Sequence, residues 1–136
     1  MSDDTPLYAA SNRGFMAFLG ARKTGFSDGY SRFEIDITPE HCNPMGLPHG
    51  GVYASILDTA LGSSGCWNGD PETFNPSVTL NLNVSYLAQP KGTHLICEGQ
   101  RVGGGKSIYF SEGEIRDETG VVLARATGTF KLITRR

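Results

Sequence analysis

The residues that could do chemistry in this chain are concentrated in one segment, residues 43–58. The segment reads Asn-Pro-Met-Gly-Leu-Pro-His-Gly-Gly-Val-Tyr-Ala-Ser-Ile-Leu-Asp, a polar loop followed by an apolar run that carries one carboxylate. Its proline and paired glycines predict that a helix begins at about residues 49–52. The free N–H groups of a first helical turn carry partial positive charge, so the amide of Gly50 could stabilise a developing oxyanion. Asp58 could act as a base or a nucleophile. The Gly50 amide and the Asp58 carboxylate together indicate half of a hydrolytic site.

The spacing of Gly50 and Asp58 makes a second prediction. Eight residues of helix separate them, or roughly 12 Å at ~1.5 Å of rise per residue. Both groups must lie about 3 Å from the same reacting atoms, so one helix cannot supply both to one substrate. Two copies packed antiparallel about a two-fold axis bring each helix start to the middle of its partner. We therefore expect composite sites at the interface of a symmetric homodimer.

Composition narrows the class of protein. The chain has 136 residues, and we expect a single domain over residues 1–136 with a core of its own. A net charge of −2 gives no general electrostatic reason to bind nucleic acid or an acidic membrane. No apolar run approaches the ~20 residues of a membrane span, and the acidic N-terminus does not resemble a secretory signal. Three scattered cysteines predict reduced thiols in a cytoplasm and no metal site.

The elements that must position segment 43–58 follow from the hydrophobic pattern. A short helical segment is expected within residues 1–22, and strands at about 33–37, 93–102, 106–117 and 121–133. The clearest strand spans residues 78–86, where apolar and polar residues alternate throughout. Thr79 falls on its polar face, with Asn81, Asn83 and Ser85. Short connections predict that the last four strands pair as an antiparallel meander.

The fold class follows from the one long helix. Because Asp58 is its only strongly polar residue, the helix must be covered on nearly all sides. An antiparallel sheet of five to six strands wrapped around one central helix satisfies that requirement, in the α+β class.

The motif resembles a known family. Asn43-Pro-Met-Gly46, then His49-Gly50-Gly51 and then Asp58-Thr-Ala is similar to the hotdog-fold acyl-CoA thioesterases of the phenylacetate-pathway type. The resemblance extends over about residues 24–133. It implies a hotdog fold, homodimers with two interface sites and usually a homotetramer, in agreement with the dimer expected from the helix spacing.

The resemblance also implies a role for each residue of the site. Asp58 would be the general base or nucleophile of thioester hydrolysis, and the Gly50 N–H would polarise the thioester carbonyl. Asn43 and His49 would orient the site, and the hydroxyl of Thr79 would position water. Asp58 and Thr79 would come from one subunit, and the other three residues from the opposing subunit.

Coenzyme A would enter as part of the substrate, so no separate cofactor is expected. In similar proteins it binds around the hairpin between the two middle strands. That hairpin would be Gly103-Gly104-Gly105-Lys106-Ser107, where exposed amides and one lysine could hold phosphate. Tyr86 also falls where similar proteins contact coenzyme A.

Other interpretations of the same residues stay open. His49 could simply cap the helix, Gly51 is expected to serve packing of helix on sheet, and Asp58 could be satisfied by the hydroxyl of Ser55. At the level of function, the alternatives are a hotdog hydratase or dehydratase of acyl thioesters and a non-catalytic acyl-CoA-binding module. The sequence does not indicate the acyl group, nor whether Asp58 is a base or a nucleophile.

Overall fold

A computed structural model describes residues 14–133 of the chain. The predicted N-terminal helical segment therefore falls partly outside the described residues. The elements are α1 (Phe15–Leu19), β1 (Arg22–Ser27), β2 (Tyr30–Asp36), a short 3-10 helix (Pro39–His41), α2 (Gly50–Ser63), β3 (Ser77–Tyr86), β4 (His94–Gly104), β5 (Ile108–Asp117) and β6 (Val122–Leu132).

The six strands form one antiparallel sheet in the order β1-β2-β4-β5-β6-β3, wrapped around α2. The predicted α+β hotdog architecture is confirmed. The pairing expected for β3 was wrong, because β3 lies at the far edge on β6 and not beside β4. The connection from Tyr86 at the end of β3 to His94 at the start of β4 is short, but it is long enough to pass β5 and β6. A short connection therefore did not require β3 and β4 to be neighbours in the sheet. Strand β1 was also missed, since a bulge between Lys23 and Gly25 interrupts its alternation.

The core lies between α2 and the inner face of the sheet. Ile56, Leu57 and Leu61 are fully buried there. Two glycines that are register partners on β4 and β5, Gly99 and Gly113, let the helix approach closely. A Cβ atom at Gly99 would lie 2.4 Å from the carbonyl oxygen of Ala60. The sheet thus determines how near α2 can pack.

The other side of α2 is not covered by its own sheet. Gly51 is exposed, and Ala54, Ser55, Asp58 and Thr59 are only partly buried. The sheet covers one side of the helix, as predicted, and within residues 14–133 the cover expected on the other side is incomplete. This uncovered face of α2 consists of small and polar residues.

A bulge in β3 changes the predicted faces of that strand. Thr79 pairs with Phe130 and Asn81 with Thr129, so Leu80 is the extra residue. The predicted alternation holds from Asn81 onward but not before the bulge. Leu80 is 54% exposed, and Thr79 shares the inner face with its buried partner Phe130 instead of the polar outer face. The bulge is what aims Thr79 at the helix.

Candidate active site

Asp58 and Thr79 form a polar pair at the middle of α2. The hydroxyl of Thr79 donates to Oδ1 of Asp58 over 2.7 Å. Ser55 does not satisfy Asp58, because its hydroxyl donates to the carbonyl oxygen of Gly51, also over 2.7 Å. Within residues 14–133, no side chain donates to the second carboxylate oxygen of Asp58. The aspartate therefore keeps one oxygen available to a water molecule or a substrate carbon.

The start of α2 is capped by His49. The N–H of Gly51 donates to Nδ1 of His49 over 2.8 Å, so the proton of a neutral ring lies on Nε2. A Cβ atom at Gly51 would lie 3.0 Å from Nδ1, so this glycine makes room for the cap and does not serve packing on the sheet. The N–H of Gly50 has no acceptor among the described residues. That amide is consequently free to bind an oxyanion.

Tyr86 lies against the same helix start. Its hydroxyl donates to the carbonyl oxygen of Gly50 over 2.8 Å, and its ring would be 3.2 Å from a Cβ atom at that position. Contact with Tyr86 thus leaves little room for a side chain at position 50, and the oxyanion role of the Gly50 N–H stays a prediction. Tyr86 was predicted to contact coenzyme A. The structure places it where it holds the first helical turn, a role that sequence reasoning missed.

Asn43 organises the loop before the helix. Its Oδ1 atom accepts the N–H groups of Met45 at 3.0 Å and Leu47 at 3.2 Å. Because both N–H groups donate to Oδ1, the amide nitrogen Nδ2 points away from them and stays available as a donor. The loop is closed further by a hydrogen bond from the His49 N–H to the carbonyl oxygen of His41 (2.8 Å). These bonds hold Asn43 and His49 in one rigid loop at the helix start.

The glycine-rich hairpin lies at the exposed tip between β4 and β5. Residues 103–107 are all exposed. The N–H of Gly105 is already used, since it donates to the carbonyl oxygen of Ile108 over 2.8 Å. The guanidinium of Arg101 donates to the carbonyl oxygen of Gly105 over 3.0 Å. Arg101 thus adds a second cation near Lys106, and a basic residue just before the glycine run was the sequence signal for it.

The predicted residues fall in three places within one chain. Thr79 and Asp58 lie together at the middle of α2, Asn43 and His49 lie with Gly50 at its start, and Gly103, Gly104, Gly105, Lys106 and Ser107 form the hairpin tip. The helix itself separates the first two groups. Chemically, the first group can activate water and the second can stabilise negative charge on oxygen.

The described part of the chain contains no group of three or more histidine, cysteine, aspartate and glutamate side chains suited to a metal ion. Across residues 14–133, no helix is both long and apolar enough to span a bilayer. All three cysteines are free thiols.

Known proteins resemble this chain in sequence and in fold. Human acyl-coenzyme A thioesterase 13 is 24% identical over 98 residues, which cover 71% of this chain and 68% of that protein. The Escherichia coli PaaI protein of the phenylacetic acid degradation operon superposes with a TM-score of 0.76 at 20% identity, covering 88% and 83% of the two chains. A Bacillus halodurans protein crystallised with CoA gives a TM-score of 0.74 at 28% identity, covering 89% and 79%.

The family assignment rests on the segment that builds the site. The family model of the thioesterase superfamily matches residues 45–124, more than half of the chain. The matched range begins in the loop that Asn43 organises and includes the capped helix start, Asp58 and Thr79. The chain belongs to the thioesterase superfamily and is a thioester hydrolase of the hotdog fold.

Proposed function

We propose that this protein is an acyl-CoA thioesterase whose two active sites lie at the interface of a homodimer. One observation carries the proposal. The Asp58–Thr79 pair lies on the uncovered face of α2, while the free amide of Gly50 lies about 12 Å away at the start of the same helix. The middle of the helix supplies a base without an oxyanion donor, and its start supplies an oxyanion donor without a base.

Strand β3 supports this dimer. In the sheet formed by residues 14–133, β3 lies at the edge and pairs with β6 on one side alone. An exposed edge strand is a template for pairing with another chain. Antiparallel pairing of two β3 strands about a two-fold axis would bring the uncovered faces of two α2 helices together, antiparallel. Each Gly50 would then face its partner's Asp58, and two such dimers would form the homotetramer.

In the proposed reaction, the thioester carbonyl oxygen accepts hydrogen bonds from the Gly50 N–H and the Nδ2 of Asn43. The Nε2–H of His49 is a third donor at the same helix start. Asp58 of the opposing subunit takes a proton from water, whose oxygen bonds to the carbonyl carbon. The carbon–sulfur bond then breaks, the coenzyme A sulfur is protonated, and the free acid leaves. Thr79 keeps the carboxylate oriented throughout.

Asp58 could instead attack the carbonyl carbon and form a mixed anhydride. A single turnover in oxygen-labelled water separates the two routes. Label in the aspartate, and not directly in the acid product, would exclude the simple base route.

Coenzyme A as the thiol portion has support from two comparisons, the CoA-bound Bacillus halodurans protein and the human acyl-coenzyme A thioesterase. In this chain Lys106 and Arg101 supply cations at the hairpin tip for its phosphates. The reaction proposed here uses no cofactor beyond the coenzyme A of the substrate. Free thiols at all three cysteines fit the proposed cytoplasmic location.

Complementation between two inactive variants tests the composite site. Asp58→Asn removes the base, and Gly50→Pro removes the amide proton while keeping the helix, since proline is well tolerated at a first helical position. The extended backbone of His49 (ψ 137°) suits a residue before proline. Gly50→Ala is the matched control, because it adds the same Cβ contact with Tyr86 but keeps the N–H.

Each variant alone should lose CoA release. Random reassociation of the two should restore about a quarter of the wild-type rate, because half of the dimers then contain one intact site of two. A mixture that stays inactive, although heterodimers are shown to form, would contradict the composite site. Hydration of an enoyl-CoA without thiol release would instead favour a hydratase.

A further inference from the structure

A cavity of about 380 Å³ opens beside the start of α2. Its walls come from α1, the 3-10 helix, the loop that follows it and the first turns of α2. The lining residues are Phe15, Leu19, Glu40, His41, Cys42, His49, Gly51, Val52 and Ser55. The reaction proposed above uses His49 and leaves the rest of this cavity unexplained.

The position of the cavity relates it to the reacting carbonyl. Its lining includes both chain neighbours of Gly50, His49 and Gly51. A thioester whose carbonyl oxygen binds the Gly50 N–H must therefore direct either its acyl chain or its sulfur toward this cavity. The phosphate-binding cations of the hairpin tip, Lys106 and Arg101, are not among the lining residues. The acyl side is thus the portion of the substrate that belongs here.

The chemistry of the walls selects among acyl groups. Phe15, Leu19 and Val52 offer hydrocarbon, and Cys42 offers a thiol. Most polar groups in the wall are already engaged; the exceptions are the Nε2–H of His49, which the proposed reaction uses, and the Glu40 carboxylate. His41 accepts the N–H of Thr38 at Nδ1 (2.9 Å), and its Nε2 atom donates to the carbonyl oxygen of Leu19 (2.7 Å).

Ser55 and His49 are engaged in the same way. The Ser55 hydroxyl donates to the carbonyl oxygen of Gly51, and Nδ1 of His49 accepts the Gly51 N–H. The remaining charge is the carboxylate of Glu40, which would repel an acid group. No lysine or arginine is among the lining residues to compensate a second carboxylate.

We propose that this cavity, which we call the α1 pocket, receives the acyl portion of the substrate and selects an uncharged aryl or medium-length alkyl group. The inference rests on the proposed function and specifies its substrate class. A cavity of roughly 150 Å³ is enough to bind benzene, so the α1 pocket has room for an aromatic ring with a short linker. Leu19 of α1 and Cys42 of the loop are the specificity-determining residues, since both line the pocket outside the catalytic group.

Filling the pocket tests the proposal by activity. Cys42→Phe should lower kcat/KM for benzoyl-CoA and hexanoyl-CoA roughly tenfold or more, and should leave acetyl-CoA within about threefold, since only the larger groups need the space. Ser27→Phe, at the exposed end of β1, is the control for adding a ring elsewhere. Equal loss on all three substrates, or no loss on any, would overturn the proposal. Succinyl-CoA hydrolysed as well as hexanoyl-CoA by the wild type would also overturn it.

Thiol labelling tests binding without catalysis. Cys42 is partly exposed, whereas Cys66 and Cys97 are buried, so a maleimide should label Cys42 first and Cys42→Ser should remove that fast phase. The thioether S-benzyl-CoA should protect Cys42 in the Asp58→Asn variant, and CoA alone should not. Equal protection by both ligands, or by neither, would place the acyl group elsewhere. A wild type that hydrolyses no thioester but shows this selective protection would refute the proposed function and retain the pocket.

Discussion

The hydroxyl of Thr79 lies 2.7 Å from a carboxylate oxygen of Asp58, across the boundary between an edge strand and the helix it covers. The two residues are 21 positions apart and share no secondary-structure element. The bond leaves the other carboxylate oxygen as the one that can face a reacting water. Thr79 is thus the residue that sets the orientation of the proposed base.

Removing this hydroxyl should separate orientation from basicity. We expect Thr79→Val, which keeps the shape of the side chain, to lower kcat roughly fivefold, because the carboxylate loses about 1 kcal/mol of orienting hydrogen bond. Thr79→Ser should retain most of the activity. Asp58→Asn should lower kcat by about 10² or more. Steady-state thiol release measures all three, and a Thr79→Val enzyme with wild-type kcat would refute the orienting role.

Tyr86 gives a test that distinguishes two roles. Tyr86→Phe keeps the ring against Gly50 and removes the hydrogen bond to its carbonyl oxygen. If Tyr86 positions the helix start, kcat should fall about fivefold to tenfold while the inhibition constant of free CoA stays unchanged. If Tyr86 binds coenzyme A, as the family resemblance implies, the inhibition constant should rise while kcat is kept.

The hydrogen bonds of Asp117 lead to a prediction of how the free energy of unfolding depends on pH. This buried carboxylate accepts the hydroxyl of Thr119 and the N–H groups of Lys91, Gly92 and Val121. The bond from Thr119, followed by those from the backbone, holds the pKa of Asp117 well below its ordinary value, against the opposing effect of burial. The carboxylate therefore stabilises the fold above the unfolded-state pKa of about 3.9, and this contribution is lost as pH falls below it.

The corresponding measurement is urea unfolding at several pH values between 6 and 3. The free energy of unfolding should fall more steeply toward acid in the wild type than in Asp117→Asn, and the variant should be less stable at pH 6. Asp28→Asn, in the turn after β1, should reproduce the wild-type slope. Parallel slopes for the wild type and Asp117→Asn would refute the assignment.

Close packing of α2 predicts a large effect from one methyl group. Gly99→Ala would place a Cβ atom 2.4 Å from the carbonyl oxygen of Ala60, so the helix must shift. We expect a loss of roughly 1–3 kcal/mol in the free energy of unfolding, as for other overpacked cores. Gly105→Ala is the matched control, since no atom lies within 4 Å of its Cβ position. Equal stability of the two variants in urea would contradict this view of the core.

The sequence was sufficient for the central helix and for most of the sheet. Proline and glycine placed the helix start correctly, because His49 is indeed the N-cap and α2 begins at Gly50. Alternating hydrophobicity located β2 and β3, and turn residues between strands located β4, β5 and β6. The hydrophobic pattern defines strands but not their neighbours. It could not assign β3 to β6, since strand order depends on how a connection crosses the sheet, and the hydrophobic pattern of β3 is the same beside either neighbour.

The site was predictable in its residue types but not in its contacts. The motif singled out Asn43, His49, Gly50 and Asp58, whose roles remain predictions. Regular alternation put Thr79 on the solvent face, and nothing in the local sequence marks the bulge that turns it inward. Tyr86 illustrates the same limit, because its contact with Gly50 joins residues 36 positions apart.

The bulge at Leu80 gives chain length a chemical role at this point of the protein. In a regular strand, residues 79 and 81 would face the same side of the sheet, and Thr79 would point away from Asp58. The extra residue puts them on opposite sides, so the Thr79 hydroxyl reaches the carboxylate while Asn81 stays on the outer face. A shift of the upstream part of β3 by one position along β6 would remove the bulge and turn the hydroxyl away, although neither residue had been substituted.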